Sequence, residues 1–306
     1  MKKVLKWVGI VLGGMVGLIA VAAITLYVIG SARLSKTYDI RAEAIAIPND
    51  EAALARGRHL AEAVAFCTAC HGEDLGGDVQ DDDPMVFTFA PPNLTAGRGG
   101  VGVTFSEADY VRAIRHGVNP QGRGLLIMHS DAYHNLSAED LGAVIAFVKS
   151  MPLVDKEVAR TRVAPLGRIF VALGMFDVET VPLIPAEVID HAAPFVDAPA
   201  PGLTAEYGEY LMSISLCRMC HGPDLTGAPS LEPGMPPGPN IAAHAASGGW
   251  TEEEFAAVLR SGVTPSGRTL NPEHMPWDLT TRLTDEEIAA LWLYLQTLPP
   301  QEDGNR

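Results

Sequence analysis

Cys67-Thr68-Ala69-Cys70-His71 recurs as Cys217-Arg218-Met219-Cys220-His221, and the two strings use every cysteine in the chain. C-x-x-C-H is the attachment pattern of a c-type haem. The spacing has a chemical reason. Two thiols form thioethers to the two vinyl groups of one porphyrin, and the adjacent imidazole sits under the iron as proximal ligand. Residues three apart on a helix share a face, so both sulfurs meet one ring edge. Two such strings with no thiol left over predict two covalent haems, on Cys67, Cys70 and His71 and on Cys217, Cys220 and His221. Zinc is a poor competitor, because its ligand pairs lie close in sequence and these are 150 residues apart. A thioredoxin-type pair does not come twice with a following histidine.

The 306 residues suggest two domains. The formal net charge is −15, and residues 31–306 hold 19 of the 22 basic residues and all 37 acidic ones. So acidic a body argues against nucleic acid as a partner. It suits either a basic or neutral-faced protein partner or a merely soluble surface. Before it comes Met-Lys-Lys-Val-Leu-Lys and an uncharged run of 23 residues, Trp7–Ile29. A bilayer needs about 20 apolar residues and a signal-peptide core about 7–15. The run reads as an uncleaved membrane anchor, with cleavage near Ile29-Gly30-Ser31-Ala32 as the lesser alternative. Lys2, Lys3 and Lys6 place the N-terminus in the cytoplasm, although Arg33, Lys36 and Arg41 follow on the far side.

The repetition extends beyond the cysteines. Gly57, Asn93-Leu94, Arg115-His116-Gly117, Gly122-Arg123, Met128, Leu136 and Pro152 recur as Gly208, Asn240-Ile241, Arg260-Ser261-Gly262, Gly267-Arg268, Met275, Leu283 and Pro299. The offset stays between 145 and 151, a tandem duplication of long units. Solenoid repeats run at roughly 20–50 residues. Each unit reads as helices joined by long loops. Helices are expected over Glu51–Val64 with Asn49 or Asp50 as cap, over Ala205–Ser213, and over each cysteine string. Ser106-x-x-Asp109 and Thr251-x-x-Glu254 open helices that stop at Gly117 and Gly262. Ser137-x-x-Asp140 and Thr284-x-x-Glu287 open the last helices, whose apolar faces are Leu141, Val144, Ile145, Val148 and Ile288, Leu291, Trp292, Leu295.

With these motifs in hand, each unit resembles a class I cytochrome c domain, and the whole chain resembles membrane-anchored dihaem cytochromes c. The units are also similar to domains in cytochrome subunits of periplasmic alcohol dehydrogenases. The fold implied is all-α: two tandem class I cytochrome c-like domains behind one N-terminal transmembrane helix. The expected boundaries are anchor 4–30, juxtamembrane linker 31–48, first domain 49–152, Pro-rich linker 153–202, second domain 203–300 and tail 301–306. The resemblance implies that Gly57 and Gly208 mark close helix crossings, packing against Phe147 and Tyr294. It implies that Pro92-Asn93 and Pro239-Asn240 cover the proximal side of each haem, and that Met128 and Met275 are the sixth iron ligands. Met275 is followed by proline, as the family pattern wants. Met128 is followed by His129, which offers bis-His coordination as an alternative. Arg123 and Arg268 suit either haem propionates or solvent. Haem attachment outside the cytoplasmic membrane puts the haem domains in the periplasm or the extracellular space.

A few segments are read without the resemblance. His59, His116, His134, His191 and His244 are expected at the surface or hydrogen-bonded, and Asp81-Asp82-Asp83 as a solvated loop. Leu166–Gly174 is expected as a short helix packed between the domains, with contact to the membrane surface as the lesser alternative, because Arg168 is its only charge and it lacks the basic face of an interfacial helix.

The functional expectation is electron transfer and no enzymatic activity of the chain's own, since an iron with both axial positions filled by protein has no place for substrate. The expected partners are a donor dehydrogenase or quinol oxidase and an acceptor oxidase or soluble cytochrome, at a membrane. The chain is then a free shuttle or a dehydrogenase cytochrome subunit. The alternative is a dihaem peroxidase-like oxidoreductase.

Overall fold

The computed structural model describes residues 1–178, 180–231, 234–242 and 249–299. His244 and the 301–306 tail, both named above, lie outside the described residues. Helix α1 (Lys2–Leu34) is long and apolar enough to cross a membrane. The first copy follows with α2 (Glu51–His59), α3 (Cys67–His71), α4 (Glu107–His116), α5 (Ser130–Tyr133) and α6 (Ala138–Ser150). Helix α7 (Pro165–Ala172) lies in the linker. The second copy supplies α8 (Ala205–Ile214), α9 (Cys217–His221), α10 (Glu252–Ser261), α11 (Trp277–Thr280) and α12 (Asp285–Thr297).

The caps do what their residue types dictate. The Asp50 side chain accepts from Ala53 N, and Thr204 from Tyr207 N. Complete capping boxes open α4 at Ser106 with Asp109 and α10 at Thr251 with Glu254. Both helices end on a left-handed glycine, Gly117 and Gly262. Helix α2 runs on through one wide turn, Leu60–Val64, closed by Ala65 N donating to Leu60 O at 2.8 Å. Its counterpart α8 has no such extension and ends at Ile214.

In each copy the first and last helices cross at a glycine, as expected, but the neighbour at Gly57 is backbone. A Cβ built there would lie 1.9 Å from Ala143 O, so the notch seats the α6 main chain directly. At Gly208 the same clash falls on Ala290 O, with Tyr294 Cβ next at 2.9 Å. Any side chain at either position forces the helices apart.

Two further expectations are corrected. Asp81–Asp82 is not loop: it is strand β1, antiparallel to β2 (Phe87–Phe89), which pairs in turn with β3 (Arg162–Val163) from the linker. The described residues are therefore mostly helical, with one small sheet. Helix α7 does form, but its main partner is α1, with β3 beside it. The reason is a fitted notch: a Cβ on Gly30 would lie 1.8 Å from Arg168 O. Arg168 Nη1 also donates to Ser31 Oγ at 3.1 Å.

One apolar cluster runs through both copies, from Leu60, Val144 and Phe147 to Leu211, Leu291 and Trp292. A polar seam crosses it. Arg56 forms a two-point pair with Asp140 at 2.9 Å and donates to Tyr207 Oη at 3.2 Å. Tyr210 Oη donates to Asp140 at 2.7 Å, and His59 meets Glu287 at 2.8 Å. Asp140 and Glu287 are buried, so these partners satisfy carboxylates that burial alone would penalise.

Candidate haem sites

Each cysteine string forms one short helix, α3 or α9, closed by a glycine at φ 81° or 82°. Phe66, at φ 51°, caps α3 in the left-handed region, a strained conformation for a bulky residue. Both imidazoles are buried, and each makes one telling bond. His71 Nδ1 lies 2.9 Å from Pro92 O, and His221 Nδ1 lies 2.9 Å from Pro239 O. A carbonyl oxygen only accepts, so each Nδ1 carries the hydrogen and each Nε2 keeps its lone pair. This is the outer bond that orients and tunes a metal-binding histidine. Burial also pushes both imidazoles below their usual pKa, against the Pro carbonyls, and so favours the neutral ring.

The carbonyls are themselves fixed. Asn93 Nδ2 donates to Val154 O at 2.6 Å, and its Oδ1 accepts from Thr95 N and Oγ1. A Cβ on Gly77 would come within 2.5 Å of the Pro92–Asn93 peptide, and one on Gly238 within 1.6 Å of Cys220 O. The Pro-Asn loops therefore sit directly against the attachment strings. All four thiols are pushed up by burial, Cys67 to about 12. A thiol held neutral is a poor zinc ligand or redox nucleophile. Among the described residues no group of three or more His, Cys, Asp or Glu converges as a metal site.

The loops carrying the two methionines are closed by the same two bonds at their ends. Leu125 N donates to Gly117 O and Leu270 N to Gly262 O, at 2.7 and 2.8 Å. Ser130 N then donates to Met128 O and Trp277 N to Met275 O, at 2.6 and 2.7 Å. Both methionines are half-buried and pack on the central apolar cluster, as do Cys67 and Cys217. His129 has another environment. It lines a cavity of about 280 Å³ between the copies, with Asp131, Arg218 and Met219. Burial drives its pKa down to about 4. Arg123 and Arg268 are exposed, each in the turn that closes its loop.

Sequence reasoning passed over Arg115, whose side chain is wholly buried. It donates to His134 O at 2.6 Å and Ala193 O at 2.8 Å, pairs with Glu43 at 3.3 Å, and lies 3.9 Å from the Phe195 ring centre. The available signal was the repeat: Arg260, its counterpart, donates to Thr281 O and Leu283 O. His59, His116, His134 and His191 are hydrogen-bonded, as expected.

The cytochrome c family profile matches residues 54–152 and 205–299. The chain belongs to the cytochrome c family. It is 26% identical over 284 residues to the cytochrome c subunit of the alcohol dehydrogenase (quinone) of Gluconacetobacter polyoxogenes, across 82% of this chain and 57% of that protein. The corresponding subunit of Gluconobacter oxydans is 25% identical over 283 residues, 83% of this chain and 56% of its own length. The fructose dehydrogenase cytochrome subunit of Gluconobacter japonicus is 42% identical over 50 residues, 16% of this chain and 10% of that one. The chain thus spans little more than half the length of the alcohol dehydrogenase subunits it matches. Cytochrome c domains imply covalent c-type haem, and two half-buried cysteine strings, each with a buried histidine and a bare Nε2, fit that group.

Proposed function

We propose that this cytochrome is a membrane-anchored dihaem electron carrier, serving as the cytochrome subunit of a dehydrogenase assembly outside the cytoplasmic membrane. Helix α1 is its anchor with the N-terminus in the cytoplasm, and the expected domain boundaries stand as part of the proposal. The observation that carries it is the twin bond from His71 and His221 Nδ1 to a proline carbonyl, each beside a cysteine pair. Bound haem supplies a one-electron couple at its iron.

The chain's own residues do the rest. Cys67 with Cys70, and Cys217 with Cys220, hold the porphyrin edges. His71 and His221 present neutral Nε2 atoms on the proximal side. Met128 and Met275 would supply each iron's second protein ligand. Their thioethers favour the reduced state and close the site to substrate, which separates a carrier from a peroxidase. Their packing on the cluster that also holds Cys67 and Cys217 supports this assignment. His129 in the inter-copy cavity does not share that support. The relatives are dehydrogenase subunits, which gives the peroxidase alternative no backing.

The test is purification of the full chain from membranes in mild detergent. Two haems per chain that survive acid–acetone extraction, and a copurifying dehydrogenase, are expected. One haem, extractable haem, or hydrogen peroxide turnover by the isolated chain overturns the reading.

A further inference from the structure

Helix α7 and the turn that follows it leave apolar side chains uncovered beside α1. Gly167 and Val171 point inward, where a Cβ on Gly167 would meet Val86 O at 2.0 Å. Arg168, the only charge in the helix, is turned to Ser31 Oγ and Val163 O, with its guanidinium 5.8 Å from the Tyr27 ring centre. Leu166, Leu173 and Met175 remain exposed, at 37%, 54% and 63%.

The level of this face along α1 follows from helix geometry. The 23 uncharged residues Trp7–Ile29, at about 1.5 Å each, span about 34 Å, close to the roughly 30 Å of a hydrocarbon core. Helix α7 touches α1 from Tyr27 to Ser31, where that run ends. Packed helices lie about 8–10 Å apart, so the exposed face of α7 is within reach of the headgroup boundary. It cannot swing away freely. Arg33, in the last turn of α1, pairs with Asp177 at 2.5 Å and Glu187 at 2.7 Å, which clamps the chain after α7 to the same end.

We propose that residues 165–175 lie in the outer interface of the bilayer, with Leu166, Leu173 and Met175 among the lipids, as a second and non-spanning membrane contact. The proposal rests on α1 crossing the membrane. Without a basic face the contact is apolar, so it needs no anionic lipid and little salt dependence is expected. Strand β3 beside α7 pairs with β2 of the first copy, and Gly167 abuts Val86, so the contact brings the first copy to the membrane.

The full haem-loaded chain, in phosphatidylcholine nanodiscs carrying a trace of lipid with a photoactivatable diazirine on its acyl chain, gives the test. Adducts are mapped by mass spectrometry of peptides. Labelling in α1 and in 165–176, with none in α11, is expected at low and high salt. Label in α1 with 165–176 clean overturns the proposal and spares the anchor. A clean α1 overturns the anchor and the proposal together. The double variant Leu173→Glu, Met175→Glu changes only exposed side chains, so it is expected to keep both haems and the α1 adducts while losing those in 165–176. Unchanged labelling of 165–176 in that variant counts against insertion.

Discussion

The two copies share their bonds at the haem sites and differ in what surrounds them. In the first copy, Arg115 and His116 are buried under two outside segments. Glu43 of the juxtamembrane stretch meets both, His191 of the linker meets His116 at 3.1 Å, and Ala193 accepts from Arg115. Ile127 N, just before Met128, donates to Leu183 O of the same linker. In the second copy the counterparts Arg260 and Ser261 face solvent or near-surface carbonyls, and Asp285, paired with Arg260 at 2.6 Å, is fully exposed. A duplicated unit has thus acquired one wrapped and one open methionine side. Among the described residues the second copy's methionine side stays open, whereas the first copy is tied through the linker to the end of α1.

The largest effect that sharpens this comparison is loss of one haem. Cys217→Ser with Cys220→Ser is expected to lower the covalent haem count from two to one, read by the alkaline pyridine spectrum. The wrapped copy, with its additional fastening, should remain folded around its haem. Loss of both haems would mean that the copies mature only as one unit.

Next comes stability. Arg115→Ala leaves the Glu43 carboxylate without one partner and two carbonyls without their donor. Glu43 is partly exposed and keeps His116, so the main cost is that of the carbonyls, about 1–3 kcal/mol for each one left without its donor. Arg260→Ala removes similar carbonyl bonds at a half-exposed site that water can re-satisfy, so roughly 1–2 kcal/mol is expected. Urea melts of the haem-loaded variants compare them. Equal losses would erase the distinction between wrapped and open copies.

Much of this was legible in the sequence for local reasons. Caps at Ser106, Ser137, Thr251 and Thr284 act on backbone three residues away, and glycine stops act at one φ angle, so residue type suffices. The cysteine strings are equally local. The wrapping was not legible, because Glu43, His116 and His191 meet across 73 and 75 residues and carry no pattern. The sheet was missed because strands of two or three residues are too short to show alternation. Helix α7 was found and its partner was not, since a glycine notch at Gly30 is a matter of shape. The histidines were expected as ligands from the motif alone, whereas the carbonyls of Pro92 and Pro239 that leave their Nε2 atoms bare emerge only in three dimensions.

The sixth ligands give a smaller, spectroscopic effect. Met128→Ala and Met275→Ala are each expected to remove about half of the weak red-end absorption that marks an iron–thioether bond in the oxidised protein, if each thioether fills one axial position. The wrapped loop makes His129 the sharper control. Its side chain lines the inter-copy cavity, so His129→Ala should leave that band intact. A band unchanged in Met128→Ala and altered in His129→Ala would make the first haem bis-His, and the copies would then differ in chemistry as well as in surroundings.

The smallest expected effect concerns the seam that joins the copies, and its sign can be worked out. Burial raises the pKa of Glu287, but its bonds to His59 and to the Thr284 cap outweigh burial and hold the carboxyl below its ordinary 4.5. A group whose folded pKa is depressed binds fewer protons folded than unfolded. Its contribution to stability is therefore fully present above about pH 4.5 and is lost as pH falls through the lower folded value. Asp140 holds the equivalent place in the first copy and is paired with Arg56, a permanent cation, whereas His59 is charged only when protonated. Glu287→Gln should flatten the fall in stability below pH 4.5, measured by urea melts from pH 6 to pH 3. An unchanged slope would show that the acid sensitivity lies elsewhere, among the other carboxyls held below their ordinary values: Glu43, where burial is outweighed by the His116 bond, Asp109, where it is outweighed by Ser106 and Arg112, and Asp177, bonded to Arg33.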